Sequence, residues 1–336
     1  MSEVSDGCVE TGDVTQRVAV IGAGLAGLAC ARVLRRAGCY VEIFERERVI
    51  GGRMAMTRLG TTPFDLGCQY LTARSIRFKS FLAELQAAGY VAAWQPKTLS
   101  REEGGGQTTP WLVGTPSMPA IVRPLAESVR INTGRNAHTI QRVEKAWYIW
   151  FDDQTSAGPF AAIAVATPAP EARLLLGRLE ELADPLSRVR MSPCWSMVAR
   201  VDGQLLPGQD VYSDMSQVIR WAARNNSKPG RPRGGEAIVI QAAQGWSRET
   251  EDADPQAVAE ELWAELSHIF SLPPVRPAEM QAHLWRNALT DAALSETYIF
   301  SREHMVGVCG DWCLGRLAEH AFESGTQLGS TIVGSF

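Results

Sequence analysis

Residues 17–45 read RVAVIGAGLAGLACARVLRRAGCYVEIFE. Arg17–Ile21 is a short β-branched run. Gly22-Ala23-Gly24-Leu25-Ala26-Gly27 follows, then good helix formers over 28–37, and a second apolar run over 40–44 that ends in Glu45. Strand, tight turn, helix, strand is a βαβ unit. Its strands are too apolar to be half-solvated, so they belong in a parallel sheet covered on both faces. The three glycines have separate tasks. Gly22 permits the sharp turn, Gly24 lets a pyrophosphate approach the backbone, and Gly27 lets the helix pack closely on the sheet. The helix start presents unpaired amides and partial positive charge to phosphate. Glu45, 21 positions past Gly24, is placed to accept hydrogen bonds from ribose hydroxyls.

Two segments extend this dinucleotide signature. Gly51-Gly52-Arg53-Met54 combines a double glycine with a planar guanidinium suited to phosphate. It resembles the GGR segment of flavin-dependent amine-oxidase-like proteins, where the arginine contacts the FAD pyrophosphate. Near the other end, Val308-Cys309-Gly310-Asp311 reads as strand then Gly-Asp, followed by a helix carrying Glu319. In that flavoprotein class the Asp bonds the ribityl or pyrophosphate region, and the helix start faces the flavin pyrimidine edge. An N-cap role for Asp311 is the alternative.

The whole chain has 336 residues, 45% hydrophobic and 21% charged, with a net charge of −4. That is room for about two domains with a large core. No global basic field favours nucleic acid, and no stretch has the apolar length of a membrane span. Residues 1–16 are polar and acidic, unlike a signal peptide, and read as a loose arm ahead of the first strand. Seven scattered cysteines fit a reducing cytoplasm, and Cys309 and Cys313 read as buried thiols. Histidine and cysteine spacing assigns no metal site.

Between the ends, 75–89 reads as an amphipathic helix, 101–109 as a loop or hairpin tip, and 116–128 as another helix. Several β segments follow over 130–153. A buried strand covers 161–166, a helix 171–182, strands 197–201 and 237–241, and a long helix 254–270. A short strand at 306–309 precedes a last helix near 317–325. The nucleotide-binding sheet therefore recurs at the start, middle and end of the chain. The expected division is a discontinuous dinucleotide domain of 17–75, 112–170 and 297–336, with a second domain of 76–111 and 171–296.

Six tracts together resemble the bacterial renalases. They are Asp65-Leu-Gly-Cys-Gln69-Tyr70-Leu-Thr-Ala-Arg74, Trp111-Leu-Val-Gly-Thr-Pro-Ser-Met118, Ala166-Thr167-Pro168-Ala-Pro170, Arg224-Asn225-Asn-Ser-Lys-Pro-Gly-Arg231, Gly245-Trp246-Ser-Arg248 and Gly310-Asp-Trp-Cys313. The resemblance runs over nearly the whole chain. It implies an α/β, Rossmann-like FAD-binding domain of p-hydroxybenzoate hydroxylase type, with a mixed-sheet substrate domain and noncovalent FAD. It also implies oxidation of 2- or 6-dihydro isomers of NAD(P)H, giving NAD(P)+ and, with molecular oxygen, hydrogen peroxide. The chemistry asks for a flat donor held against the flavin in a dry site, with no general base.

The candidate cofactor set is Gly22, Ala23, Gly24, Leu25, Ala26, Gly27, Glu45, Arg46, Gly52, Arg53, Met54, Gln69, Ala137, Thr167, Gly310, Asp311 and Glu319. Candidate substrate-side residues are Tyr70, Asn225, Gln241 and Trp285. Asn225 is matched to a carboxamide contact or a turn cap, and Trp285 to a ring wall or a core residue. Arg224, Lys228 and Arg231 are a surface basic cluster or a phosphate clamp. The chain departs from the family at Gln241, where a histidine is usual, and at His283-Leu284-Trp285 with Asn287, which lacks one cationic and one aromatic group. His320 enters the flavin environment, caps the last helix or faces solvent, the latter two being favoured. An amine oxidase on the same scaffold ranks second, because no paired-aromatic cage is evident in the sequence. A non-redox dinucleotide-binding module ranks third.

Overall fold

The computed structural model describes residues 16–100 and 110–336. Its first element is β1 (Arg17–Ile21), which turns into α1 (Leu25–Arg36) and then β2 (Tyr40–Glu45). β1 and β2 pair in parallel within a six-stranded sheet. Arg130–Thr133 lies outside β2. Ala162–Val165 lies on the other side of β1, followed by Val306–Val308, all parallel. Ile299–Ser301 closes that edge antiparallel.

Coverage on both faces explains why these strands are apolar throughout. Val18, Val20, Val41, Ile43 and Ala164 pack in the layer that contains α1 and the closing helix Ala318–Val333. Ala19, Ile21, Phe44, Ile163 and Val165 face the opposite layer. There they meet a three-stranded antiparallel sheet of Ala137–Val143, Ala146–Phe151 and Ser156–Phe160. Alternate residues serve alternate layers, as the period of a strand requires. α1 and the closing helix touch backbone to backbone. A Cβ at Gly325 would sit 1.9 Å from the Ala26 carbonyl oxygen.

A second six-stranded sheet stands apart. Glu279–Ala292, Arg190–Val201, Glu236–Ala242, Ile219–Arg224 and Val211–Ser213 run antiparallel in that order, and Thr98–Ser100 adds in parallel. Its outer face is covered by the helix Pro255–Phe270, through Val258, Leu262 and Leu266 against Met197, Ala199 and Ile240. Asp254 starts that helix, its side chain accepting from the amides of Gln256 and Ala257. The inner face packs Val198, Ala237 and Val239 on Leu59, Phe64 and Leu66. Leu59 and Phe64 belong to the hairpin Met56–Leu59/Thr62–Asp65, which wedges beneath the sheet.

Several local expectations are corrected. The helix expected over 116–128 is a 3-10 turn, Met118–Ile121, and a short helix, Arg123–Ala126; Pro119 and Pro124 interrupt it. The helix at 171–182 is two, Ala169–Leu175 and Glu180–Leu186, broken around Gly177. The strand at 197–201 is the tail of a 12-residue strand. Its 14-residue partner Glu279–Ala292 lacks a clear apolar alternation and was not anticipated. Leu82 and Leu85 of the helix Ile76–Ala87, and Val91 and Trp94 of the strand Val91–Trp94, pack in the α1 layer. Leu175, Leu182 and Leu186 pack in the opposite layer of the same body. Residues 76–94 and 171–186, expected in the second domain, thus pack against the body of the first sheet. The arm and the 101–109 loop lie outside the described residues, apart from Gln16. No helix among the described residues is long and apolar enough to cross a membrane.

Candidate functional site

A single cavity of about 1810 Å³ runs from the β1–α1 turn to the inner face of the second sheet. At the first end, Gly22 has φ of +104°, a turn open to glycine, and its Cβ would meet the Ala166 carbonyl at 3.0 Å. Gly27 is packed tighter, its Cβ falling 2.0 Å from the Gly22 carbonyl. Gly24 is the reverse case: a Cβ there would meet nothing within 4 Å, and the residue lines the cavity. Gly24 starts α1 without a side-chain cap, and no acidic residue occupies the first turn. Leu25 and Ala26 line the same wall, so the amides of the first turn are available to an anion. Gly52, at φ of +53°, brings its Cβ position to 3.5 Å from the Gly24 Cα, so the two glycine stretches form a narrow cradle.

Glu45 braces this turn. Its carboxylate accepts from the Ala23 amide at 2.7 Å and the Glu47 amide at 2.9 Å, while still lining the cavity beside Arg46. Arg46 lies between Glu47 and Glu171, 3.3 and 3.2 Å away. Met54, Ala137 and Thr167 also line the space. The Thr167 hydroxyl is buried with no hydrogen-bond partner among the described residues, as expected of a group that awaits a ligand.

Midway along, Arg53 forms a two-pronged pair with Asp311 and donates to the Ala288 carbonyl at 2.9 Å. Thr290 donates to the same Asp311 carboxylate at 3.2 Å, and the Gly310 amide donates to Ser324 at 3.0 Å. Arg53, Ala288–Thr290 and Gly310–Asp311, three distant segments, thus meet here. Asp311 is an ion-pair partner here, not merely a cap.

The far end is aromatic. The Tyr70 and Trp111 rings stack 3.9 Å apart, 11° from parallel, and Trp221 lies 5.6 Å from each. All three line the cavity, with Gln241, Trp285, His283, Cys194 and Arg220. Trp285 leans edge-on to His283 at 4.5 Å and donates to the Leu66 carbonyl at 3.4 Å. Burial lowers the His283 imidazole below its usual range. Burial pushes the Cys68 thiol up to about 11, against the pull of Lys228, and the Cys194 thiol up to about 12. An aromatic cage is therefore present, although its members are spread over residues 70, 111 and 221.

Four expected site residues do not line the cavity. Ala23 and Gly27 lie beneath the turn and shape it from behind. Glu319 accepts from the amides of Arg74 and Ser75 at 2.6 and 3.0 Å, fixing the entry to the helix Ile76–Ala87. Asn225, 1% exposed, donates to the Pro63 carbonyl at 3.0 Å and accepts from the Asp65 amide at 3.4 Å. Its side chain ties the hairpin to the second sheet and is not free for a carboxamide. His320 accepts from the Leu317 amide at 3.4 Å, at the start of the closing helix.

The basic tract is neither a surface cluster nor a phosphate clamp. Arg224 pairs with buried Glu236. Lys228 and Arg231, 2% and 6% exposed, both pair with Asp65. Burial acts to raise the Asp65 carboxyl, but the two cations overcome it and hold the group below the usual carboxylate range. Lys228 also donates to the Gln69 side-chain oxygen at 3.0 Å, while the Gln69 amide donates to the carbonyls of Asp65 and Gly67. Gln241 donates to that Gly67 carbonyl at 2.7 Å. The floor from Leu66 to Tyr70 is thereby fixed from below. Trp111, Trp221, Arg220 and His283 were not among the candidate site residues, although His283 was named in the segment that departs from the family. The first two sat in or beside tracts already notable for composition, and nothing local signalled that they would converge.

Comparison with known proteins bears on the fold. Residues 20–85 match the family model of an NAD(P)-binding Rossmann-like domain. Hydroxyneurosporene desaturase of Cereibacter sphaeroides is 41% identical over 63 residues, 19% of this chain and 13% of the desaturase. The small chain of glutamate synthase [NADPH] from Mycobacterium tuberculosis is 45% identical over 65 residues, again 19% of this chain and 13% of the relative. The chain thus matches only a small part of these relatives' length. In three dimensions the likeness covers nearly everything. Cyclohexylamine oxidase from Brevibacterium oxydans IH-35A aligns with a TM-score of 0.71 over 95% of this chain and 99% of that one, at 13% identity. A putrescine oxidase mutant aligns at 0.74, over 95% and 98%, at 11% identity. The shared property is the fold: a Rossmann-like nucleotide layer with a second sheet above it.

Proposed function

We propose that this chain is an FAD-dependent oxidoreductase, on a framework of p-hydroxybenzoate hydroxylase type, that takes hydride from a dihydronicotinamide nucleotide. The donor is a 2- or 6-dihydro isomer of NAD(P)H, and molecular oxygen is the final acceptor. The observation that carries this reading is the continuity of the cavity. One space joins a glycine cradle open to a diphosphate with an aromatic wall suited to a flat ring.

The residues fit a flavin dinucleotide held without a covalent bond. Gly24 and Gly52 leave room for the diphosphate, the first turn of α1 supplies amides, and Thr167 offers an unmatched hydroxyl. The buried thiols of Cys68 and Cys194 stay protonated near neutral pH and are poor nucleophiles. When bound, FAD supplies the two-electron acceptor, and oxygen carries the electrons away as hydrogen peroxide.

The protein's own share is placement. A dihydropyridine that loses hydride becomes aromatic, and no proton has to be removed. Tyr70, Trp111 and Trp221 hold such a ring by stacking and keep water out. Gln241 has its amide on Gly67, which leaves its oxygen as an acceptor for a carboxamide N–H.

A second reading is an amine oxidase, favoured by the aromatic cage itself. Anaerobic titration of the purified yellow protein separates the two. The expected result is bleaching by a 2- or 6-dihydro isomer, then recolouring in air with peroxide formed. Bleaching by a primary amine alone would transfer the assignment to the second reading, and no bleaching by any dihydronicotinamide would end the first.

A further inference from the structure

Arg220 sits where a regular strand would not direct it. In the strand Ile219–Arg224, the register against Glu236–Ala242 shifts between Ile219 and Trp221. Successive residues of a regular strand point to opposite faces, and a bulge re-aims one of them. Here Arg220 and Trp221 both line the cavity. The guanidinium is near enough to Tyr70 and Cys194 to favour their ionised forms, although burial prevails in both. Arg220 is exposed, so it lines the open side of the cavity beside the aromatic wall.

The neighbouring polar groups make this arginine distinctive. Arg46, Arg53, Arg135 and Arg286 also line the cavity and are matched by carboxylates. Among the described residues Arg178 and Arg316 of the lining are not so matched, but Arg220 is the one that adjoins Trp221 of the aromatic wall in sequence. No ion pair among the described residues involves Arg220. Asp214 lines the same region and is engaged in contacts of its own. Beside Arg220, the buried indole N–H of Trp221 has no acceptor among the described residues. A guanidinium and an unmatched donor next to a stacking surface suit a flat molecule that carries an anionic oxygen group.

We propose that Arg220 receives the phosphate of the donor nucleotide and makes the site prefer a phosphorylated planar donor to its neutral counterpart. The proposal rests on the function proposed above and adds the group that sets its specificity. The same charge opposes entry of a protonated amine. Binding through one such charge-assisted contact is expected to favour the phosphorylated form about ten- to a hundredfold.

The test uses the FAD-loaded protein and two donors, 2-dihydronicotinamide mononucleotide and its dephosphorylated nucleoside. Anaerobic stopped-flow bleaching gives the limiting rate and the half-saturating concentration for each. The oxidised mononucleotide and nucleoside are titrated in parallel by the perturbation they cause in the flavin spectrum. The wild type is expected to favour the phosphorylated member in both assays. Arg220→Gln should erase that preference through the half-saturating concentration, with the limiting rate little changed, and Arg220→Lys should restore part of it. A preference that survives Arg220→Gln, or a wild type with no preference, overturns the proposal. Failure of both donors to bleach the flavin falls on the function itself, while the titration of the oxidised pair still decides the role of Arg220.

Discussion

The two ends of the cavity are built from different materials. Around Gly24 and Gly52 the wall is backbone, with close approach, open amides and few side chains. Around Tyr70 and Trp221 the wall is side chains, and these stand on a floor held by a buried cluster of Asp65, Lys228, Arg231 and Gln69. A backbone site is specified within a few residues. A side-chain site needs partners far away in sequence, and Lys228 lies 163 positions from Asp65. The first arrangement suits a ligand that stays, and the second can be re-lined for different donors without disturbing the first.

The sharpest way to break this contrast is to remove the ion cluster. Asp65→Asn leaves two buried cations with only neutral acceptors, and should lower stability by about 3–5 kcal/mol in a denaturant titration. The lost floor should weaken donor binding more than cofactor binding. If donor binding and cofactor binding fall alike, the two ends are not separable.

The backbone end divides within its own motif. Gly27→Val pushes side-chain atoms into the Gly22 carbonyl and should cost about 1–3 kcal/mol or more. Gly24→Val projects into open cavity and should leave the melting temperature of the cofactor-free protein nearly unchanged. It should nevertheless lower FAD affinity at least about tenfold, since the added side chain fills the diphosphate cradle. Equal melting losses for the two variants would contradict the geometry.

Smaller effects follow from pH. The Asp65 carboxyl is held below the usual 3.8, so its contribution is complete above that value and is lost as pH falls through the lower folded value. His283 is shifted below the usual 6.5 by burial. As pH falls past 6.5, the unfolded chain takes up the proton first, so stability declines in that window. His283→Gln should flatten that modest slope in melting temperature against pH.

Much of the nucleotide layer was legible because its signals are local. Gly22, Gly24, Gly27 and Glu45 lie within one βαβ unit; Gly22 makes the turn, Gly27 packs beneath it, Gly24 lines the cavity, and Glu45 holds backbone amides. Segments interrupted by Pro119, Pro124 and Gly177 were overextended, because periodicity outlasts the hydrogen bonding that proline and glycine break. The strand Glu279–Ala292 was invisible because its two faces meet different surroundings along its length, so no single alternation runs through it. At the aromatic end, Asn225 and Lys228 carried the most distinctive tract, yet they are buried beneath it. A polar residue in an unusual motif signals constraint, and burial decides whether that constraint serves a ligand or the floor beneath it. Trp111 and Trp221 had no signature, since stacking across separate strands leaves no mark on either strand alone.

The contact between Gly325 and Ala26 joins the first helix to the last. The strand Val306–Val308 likewise completes a sheet whose centre is made near residue 20. The backing of the glycine turn therefore depends on long-range chain closure, since α1 is held there by a segment far removed in sequence.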